Sequence, residues 1–431
     1  MKLFDATDRR LLRLAGPAFL TLSAEPLYVL VDTAIVGHIG TAALGGLAIA
    51  GTILSTLSWL IGFLATGVTT QVGQRRGAGD DEGARNAVRQ GVVVAVGLGL
   101  LAAFIAGLGA QPLARGIGGR GAVLHEAVTY LRISAFGLPA LAIALLALGW
   151  YRGTENLRVP VRVVIGSNIA NVAVEMLFVW GFGWGIAGSA AGTVLVQWFA
   201  VGVYLLSLRG ILRWERPRAA SVRALLRIGG AMVVRTSMMV STLMASTWLA
   251  SRDGDSSLGA HQIGVQTYFF FALMIDALAI AAQSIFAAQM GTQSHGELWK
   301  VTRRLVRLGF IAGLFLAGVL AVASPWLGHL FSNDAEVINR SKGVLLWCAL
   351  MQITGAVVFV LDGVLMGADL FAKLAAGAIG SGVTFWIFGA VHEWGPGFFG
   401  GLRGIWIALN MWMLVRLVGN GLIAWRNLRR A

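Results

Sequence analysis

The stretch AGPAFLTLSAEPLYVLVDTAIVG, residues 15–37, decides the class of this protein. An apolar helix needs about 20 residues to cross the hydrocarbon core of a bilayer, and this stretch is long enough. Glu25 and Asp32 are its only charged residues. Because these acids interrupt the apolar run and no small-x-small site follows, we interpret it as a first membrane span and not as a cleaved signal peptide.

The rest of the chain continues this composition. Of 431 residues, 57% are hydrophobic and 13% are charged, and the mean hydropathy is +0.75. A soluble chain carries roughly 25% charged residues, so this one cannot cover a surface that faces water. Its single cysteine, Cys348, excludes a disulfide scaffold and any CxxC metal or redox site. Apolar runs punctuated by Gly, Pro and charges predict twelve spans. They start near Ala15, Gly45, Ala87, Val128, Val161, Gly185, Leu225, Gly259, Leu305, Gly343, Phe371 and Gly404.

The net charge of +14 reflects membrane topology and not a nucleic-acid partner. With a cytoplasmic N-terminus, 25 of the 34 basic residues fall in cytoplasmic segments, 6 in the opposite loops and 3 inside spans. This strong positive-inside bias predicts a multi-pass protein of the inner (plasma) membrane with both termini in the cytoplasm.

An internal repeat divides the chain. One constant shift in numbering places RLAGPAF (13–19) over RIGGAMV (227–233), and Gly149 and Gly153 over Gly363 and Gly367. Six spans per repeat preserve orientation, so the halves are parallel repeats. We therefore predict an all-α polytopic membrane protein of twelve transmembrane helices in two six-helix lobes, residues 1–212 and 213–431, related by a pseudo-twofold axis along the membrane normal. Two facing bundles favour a transporter over a channel.

Five acids lie inside the predicted spans, namely Glu25, Asp32, Glu175, Asp276 and Asp362. A charge at the bilayer centre costs at least ~2.5 to 3.5 kcal/mol on insertion scales. Each of these carboxyls must therefore be paired, be protonated or face water, which makes them the first candidates for function.

Asp32 shares one face of the first span with Tyr28 and Glu25, which precede it by four and seven residues. No Lys or Arg within the span pairs with it, so we predict that it exchanges a proton. A permanently protonated structural carboxyl is the alternative. Pro26 cannot donate a backbone hydrogen bond and is predicted to make this helix bendable.

The fifth span carries a polar stripe in which Asn168, Asn171 and Glu175 recur on one face. Such a stripe faces the interior of a bundle, where Glu175 and Asp32 can form a coupled pair, although the asparagines can also serve only as interhelical contacts. Thr193 and Gln197 on the sixth span are further cavity candidates.

The second half offers a different set of candidates. Arg235 is a cation inside the seventh span, and Asp276 and Asp362 are the obvious counter-ions, so structural pairing is as good an interpretation as transport. Ten of the twelve methionines, Met238 among them, lie in this half. Flexible methionines suit promiscuous binding surfaces, but they also fill gaps in a core.

Six strings resemble the multidrug and toxic compound extrusion (MATE) transporters, most closely their DinF-type branch. They are LVDTAIVGHIG (30–40), LGGLAIA (44–50), NIANVAVEMLFVWG (168–181), GIAGSAAGTV (185–194), MIDALAIAAQ (274–283) and VLDGVLMGA (360–368). The resemblance implies efflux of diverse, often cationic compounds in exchange for H+ or Na+. It places cation coupling on Asp32, with Asn171 and Glu175 as partners, and departs at Glu175, where the family usually has Asp.

Our leading hypothesis is a proton-coupled antiporter, with Na+ as the alternative coupling ion, that exports amphipathic organic cations by alternating access. A flippase for lipid-linked oligosaccharides or lipids is the rival. We expect a monomer in contact with membrane lipid, with no cofactor beyond the coupling ion, no metal centre, no nucleic-acid partner and no enzymatic activity, because nucleotide, metal and nucleophile motifs are missing from the sequence.

Overall fold

The computed structural model describes residues 6–213, 215–292, 295–394 and 400–429, and the regular structure within these ranges is helical. Lys2 and Arg430, two of the basic residues of the cytoplasmic segments, lie outside them. The helices are α1 (Ala6–Gly37), α2 (Thr41–Ile61), α3 (Phe63–Gly77), α4 (Asp81–Leu108), α5 (Ala110–Gly116), α6 (Gly121–Ser134), α7 (Leu138–Gly153), α8 (Arg158–Met176), α9 (Gly185–Ser207), α10 (Ala219–Arg252), α11 (Asp255–Met290), α12 (His295–Phe331), α13 (Ala335–Gly367), α14 (Phe371–Trp394) and α15 (Gly401–Leu428).

Twelve segments of the described chain are long and apolar enough to cross a membrane, which confirms the predicted number of spans. Two spans consist of two helices each, α2 with α3 and α6 with α7, and α8 continues into a π-helical turn, Leu177–Gly181. Most of the segments begin several positions before the predicted starts. In α4 the reason is capping: Asp80 accepts a hydrogen bond from the Gly83 amide at 2.8 Å and so starts this helix ahead of its apolar run.

The described chain divides into two compact units. The first unit contains residues 20–229. The second unit contains the residues up to 19 together with those from 230 onward. The buried core of the second unit includes the large side chains of Phe385, Trp406 and Trp412. The predicted lobe boundary between residues 212 and 213 stays a prediction.

The repeated glycines allow one helix to lie directly on the backbone of another. A Cβ at any of the four would lie closer than 3.0 Å to a carbonyl oxygen of the neighbouring helix, α3 in the first unit and α11 in the second. The pairs are Gly149 with Ala65, Gly153 with Thr69, Gly363 with Ala279, and Gly367 with Gln283. Each pair of the second unit is related to its counterpart by the constant shift of the sequence repeat. The repeat is therefore present in the helix contacts as well as in the sequence.

Equivalent positions on α4 and α12 bind the segments that lead into the two repeats. In the first unit, the Gln90 amide of α4 donates to the Arg216 carbonyl at 3.1 Å and accepts from the Arg218 amide at 2.7 Å. The repeat places Gln90 over Arg304 of α12 in the second unit, and Arg304 pairs with Asp8 at 2.7 Å. Asp8 lies in the first turn of α1, and Arg218 directly precedes α10.

Candidate functional site

Close packing of α8 against α9 brings the polar groups of the first unit together. Gly192 of α9 lies against the backbone of Glu175, where a Cβ would be 3.3 Å from the Glu175 Cα. Gly188, one turn earlier, lies against the π-helical turn in the same way, with its Cβ position 2.8 Å from the Phe178 carbonyl carbon. These glycines let Ser189 and Thr193 of α9 reach side chains of α1 and α8.

Asp32 and Glu175 form the acidic centre of this cluster. The Ser189 hydroxyl donates to Asp32 Oδ1 at 2.7 Å. Asp32 is 5% exposed and Glu175 is fully buried, and the two carboxyls interact electrostatically. Neither Glu175 oxygen has a hydrogen-bond partner among the described residues, and the same holds for Asn171 Oδ1. Buried acceptors without donors are rare, so this centre is suited to receive a proton or a cation.

A chain of hydrogen bonds runs from α8 to α1. The Asn171 side-chain amide donates to the Thr193 hydroxyl at 3.3 Å, and the Thr193 hydroxyl lies 2.8 Å from the Tyr28 hydroxyl. Asn171 lies one turn before Glu175 on α8, and its Oδ1 has no hydrogen-bond partner among the described residues. The chain connects Asn171, one turn from the buried acid, to Tyr28 in the wall of a cavity.

That cavity encloses about 410 Å³ in the first unit. Of the described residues that line it, none is Lys, Arg or His. Its polar lining residues are Glu25, Tyr28, Asp32, Thr33, Ser55, Ser58, Tyr130, Ser134, Thr193 and Gln197. A Cβ at Gly137 would overlap Gln197 Oε1, so this glycine makes room for the Gln197 carboxamide beside the cavity. The lining is largely apolar, carries no positive charge among these residues, and its polar atoms are mainly oxygens.

The structure brings most of the first-half candidates to this cavity. Glu25, Tyr28, Asp32, Thr193 and Gln197 line it, and Asn171 and Glu175 adjoin it through the hydrogen-bond chain and the carboxyl pair. Asn168 instead donates to the Ala24 carbonyl at 2.9 Å, which is the interhelical contact that the sequence left open. Pro26 is exposed within α1, and the helix continues through it.

The second-half candidates belong to the other unit. Asp276 is half-buried on α11, and the Met238 side chain packs against Gly382 of α14. The buried Asp362 carboxylate accepts hydrogen bonds from Arg235, from Arg416 Nη2 at 2.8 Å and from Asn420 Nδ2 at 2.6 Å. Arg235 and Asp362 are therefore an ion pair, with Arg416 as a second cation.

Sequence reasoning missed several residues of these clusters. Ser189, Tyr130 and Ser134 were not proposed, although Ser189 lies one turn before Thr193 on the same helix face. That spacing was the available signal. Tyr130 and Ser134 follow Glu126 of α6 by one and two turns, but the predicted fourth span starts after Glu126, so no acid inside a predicted span pointed to this helix.

The MatE family model matches the chain twice, at residues 17–177 and 231–391, and the constant shift of the internal repeat relates the two matches. Protein DETOXIFICATION 44, chloroplastic, of Arabidopsis thaliana is 31% identical over 96% of this chain and 81% of its own length. DNA damage-inducible protein F of Escherichia coli (strain K12) is 26% identical over 99% of this chain and 95% of its own. A crystal structure of MATE in the bent conformation shares the fold, with a TM-score of 0.88 at 19% identity over 98% of this chain and 96% of that one.

Two matches of one family model cover most of the chain, and a relative above 30% identity extends over nearly all of it. Members of this family are transporters and not enzymes. The chain therefore belongs to the multidrug and toxic compound extrusion (MATE) family, in its DinF-type branch.

Proposed function

We propose that this multidrug-efflux transporter exports amphipathic organic cations in exchange for protons, and that the exchange takes place around Asp32 and Glu175. The observation that carries the proposal is a buried carboxyl pair beside a cavity of about 410 Å³ whose described lining contains no basic side chain. Relatives named as probable multidrug resistance proteins support drug-like cargo. We also propose that the protein is a monomer of the inner membrane. Both termini lie in the cytoplasm in this proposal, as the distribution of basic residues predicts.

The negative charge of the two carboxyls explains why protons and organic cations are exchanged. Two neighbouring carboxyls in a buried site cannot both be ionised without a compensating cation. An organic cation in the cavity supplies that compensation, and so does a proton on Asp32 or Glu175. Because the two compensate the same charge, uptake of a proton weakens the binding of the substrate. A sodium ion held by the same oxygen atoms is the alternative coupling ion.

The hydrogen-bond chain extends this coupling to the cavity wall. The Thr193 hydroxyl accepts a hydrogen bond from Asn171, so its own proton is available to the Tyr28 oxygen. The Tyr28 hydroxyl proton then points towards the substrate in the cavity. A protonated Glu175 donates to Asn171 Oδ1 and stabilises this direction. An ionised Glu175 instead attracts the amide N–H of Asn171, which turns the amide round and reverses each bond. Tyr28 then presents a lone pair to the substrate in place of a proton.

Thr193→Val tests the chain, because valine keeps the shape of threonine and removes the hydroxyl. We expect proton-driven efflux to fall about tenfold, since a broken buried hydrogen bond costs about 1 to 3 kcal/mol. Thr193→Ser should restore the rate. Thr52→Val is the matched control, because the Thr52 hydroxyl is exposed and bonds only to its own helix at Ala48. If Thr193→Val transported at the wild-type rate, the chain would have no part in coupling.

A double-mutant cycle distinguishes a continuous hydrogen-bond chain through Thr193 and Tyr28 from two independent contacts. Tyr28→Phe and Thr193→Val are expected to be non-additive, because either one interrupts the same path. Purified protein in liposomes, with dye efflux as the readout, gives all four rates. Strict additivity of the two effects would contradict the proposed path.

A flippase for anionic lipid-linked sugars is the second candidate. The cluster of Arg235, Asp362 and Arg416 favours it, because two guanidinium groups around one carboxylate leave one positive charge. A panel distinguishes the candidates: efflux of a cationic dye from liposomes under a pH gradient or under a sodium gradient, and transfer of a lipid-linked sugar between leaflets. We expect dye efflux under the pH gradient alone. Transfer of the sugar lipid without dye efflux would overturn the proposal.

A further inference from the structure

The first unit contains a second cavity, of about 220 Å³, beside the segment that joins α9 to α10. Its walls come from α4, α7 and α9 and are mostly aliphatic, with Val92, Ile143, Leu146 and Leu205 among the lining residues. Leu212, Arg213 and Glu215 of the joining segment complete the walls. The proposed coupling mechanism uses none of these side chains.

Arg89 fixes the wall that the joining segment provides. Its Nε donates to the Ile211 carbonyl at 2.7 Å, and its Nη1 pairs with Glu82 at 2.6 Å and with Glu215 at 2.5 Å. The Arg89 side chain is only 6% exposed. Because its charge is fully paired, Arg89 holds the wall in place and is not available to a ligand.

Arg213 is the cation that remains available at this cavity. It lines the cavity and is exposed, and among the described residues it forms no ion pair, since the nearby acid Glu215 is taken by Arg89. Three further exposed arginines, Arg209, Arg216 and Arg218, belong to the same short segment. An aliphatic cavity with an unpaired guanidinium beside it complements a molecule that has an acyl chain and a phosphate.

We propose that this cavity binds one anionic phospholipid, with an acyl chain among the side chains of α4, α7 and α9 and the phosphate at Arg213. Basic pockets between transmembrane helices on the cytoplasmic side are suited to anionic headgroups, and guanidinium groups match phosphate geometry. The positive-inside bias places the joining segment on that side. A lipid bound here would contact the same segment that Arg89 and Gln90 hold, and would stabilise its position against α4.

The full-length protein in detergent is titrated with phosphatidylglycerol and with phosphatidylcholine of the same acyl chains, and bound lipid is counted by native mass spectrometry. We expect one phosphatidylglycerol to bind tightly and phosphatidylcholine to bind at least about tenfold more weakly, since bonds to charged groups are the stronger ones. Arg213→Gln should weaken phosphatidylglycerol binding by a similar factor. Leu205→Trp, at a residue 40% exposed, should fill the cavity and weaken both lipids without a change of charge.

Arg158→Gln is the matched control, because it removes one exposed arginine from the start of α8, outside the lining. Equal weakening by Arg158→Gln and Arg213→Gln would indicate a diffuse basic surface and overturn the proposal. Equal binding of phosphatidylcholine would also overturn it, as would binding of glycerol phosphate without acyl chains at the affinity of the lipid. A thermal unfolding midpoint measured without lipid verifies that each variant is folded.

Discussion

Asp32→Asn is expected to abolish proton-driven efflux while the protein stays folded. Asparagine keeps the size of aspartate, and its side-chain carbonyl can still accept the Ser189 hydroxyl bond that Asp32 accepts. It cannot exchange a proton. Because this substitution removes the coupling step itself, efflux under a pH gradient should fall to the rate of empty liposomes.

Asp81→Asn is the control for this variant. It makes the same substitution at an exposed carboxylate, whose ion pair with Arg76 at 3.2 Å lies on the surface and contributes little. We expect it to transport at the wild-type rate. Substrate binding, measured by equilibrium dialysis without a gradient, should be retained in Asp81→Asn and weakened in Asp32→Asn, which carries the same charge as the protonated site. Undiminished pH-driven efflux by Asp32→Asn would contradict proton coupling at Asp32.

Gly363→Ala is expected to cause the largest loss of stability. Its Cβ would press on the Ala279 carbonyl of α11, and a backbone atom cannot move aside as a flexible side chain can. Overpacking of this kind costs typically about 1 to 3 kcal/mol, and sometimes more. We therefore expect a clear fall in the thermal unfolding midpoint of the purified protein, and the same direction of change for the repeat-related Gly149→Ala.

Gly355→Ala on the same helix is the matched comparison. No atom lies within 4 Å of its Cβ position, so the added methyl group meets open space. Alanine is favoured over glycine inside a helix by roughly 0.5 to 1 kcal/mol, and the unfolding midpoint should stay unchanged or rise. Equal midpoints for the two alanine variants would show that the contact between Gly363 and Ala279 does not limit packing.

The sequence predicted the fold well because its signals are local or strictly periodic. Each span is a long apolar run, and the constant shift of the repeat places equivalent residues at equivalent contacts, as Gly149 and Gly363 demonstrate. The division of two spans into two helices each, and the π-helical turn that follows α8, were not predicted. The π-helical turn after Met176 packs closely on Gly188 of α9, and no local pattern in the sequence indicates that contact.

The candidate site was predicted only in part, and chemistry explains the difference. Asp32 and Glu175 are conspicuous because acids inside spans are costly, and therefore rare. Ser189 is not conspicuous, since serine is common in transmembrane helices, where its hydroxyl usually bonds to its own backbone. Asp362 and Arg416 lie far apart in the sequence, on different helices, so only the tertiary structure shows that they pair.

Proton movement measured together with substrate efflux tests the central claim most directly. Liposomes that contain the purified protein, a pH-sensitive dye and a fluorescent organic cation are placed in buffer without sodium or with sodium, and both signals are followed as the cation is transported. Proton coupling at Asp32 predicts that protons move opposite to the cation, and that both movements stop in Asp32→Asn. Cation transport that requires sodium and leaves the proton signal unchanged would contradict it.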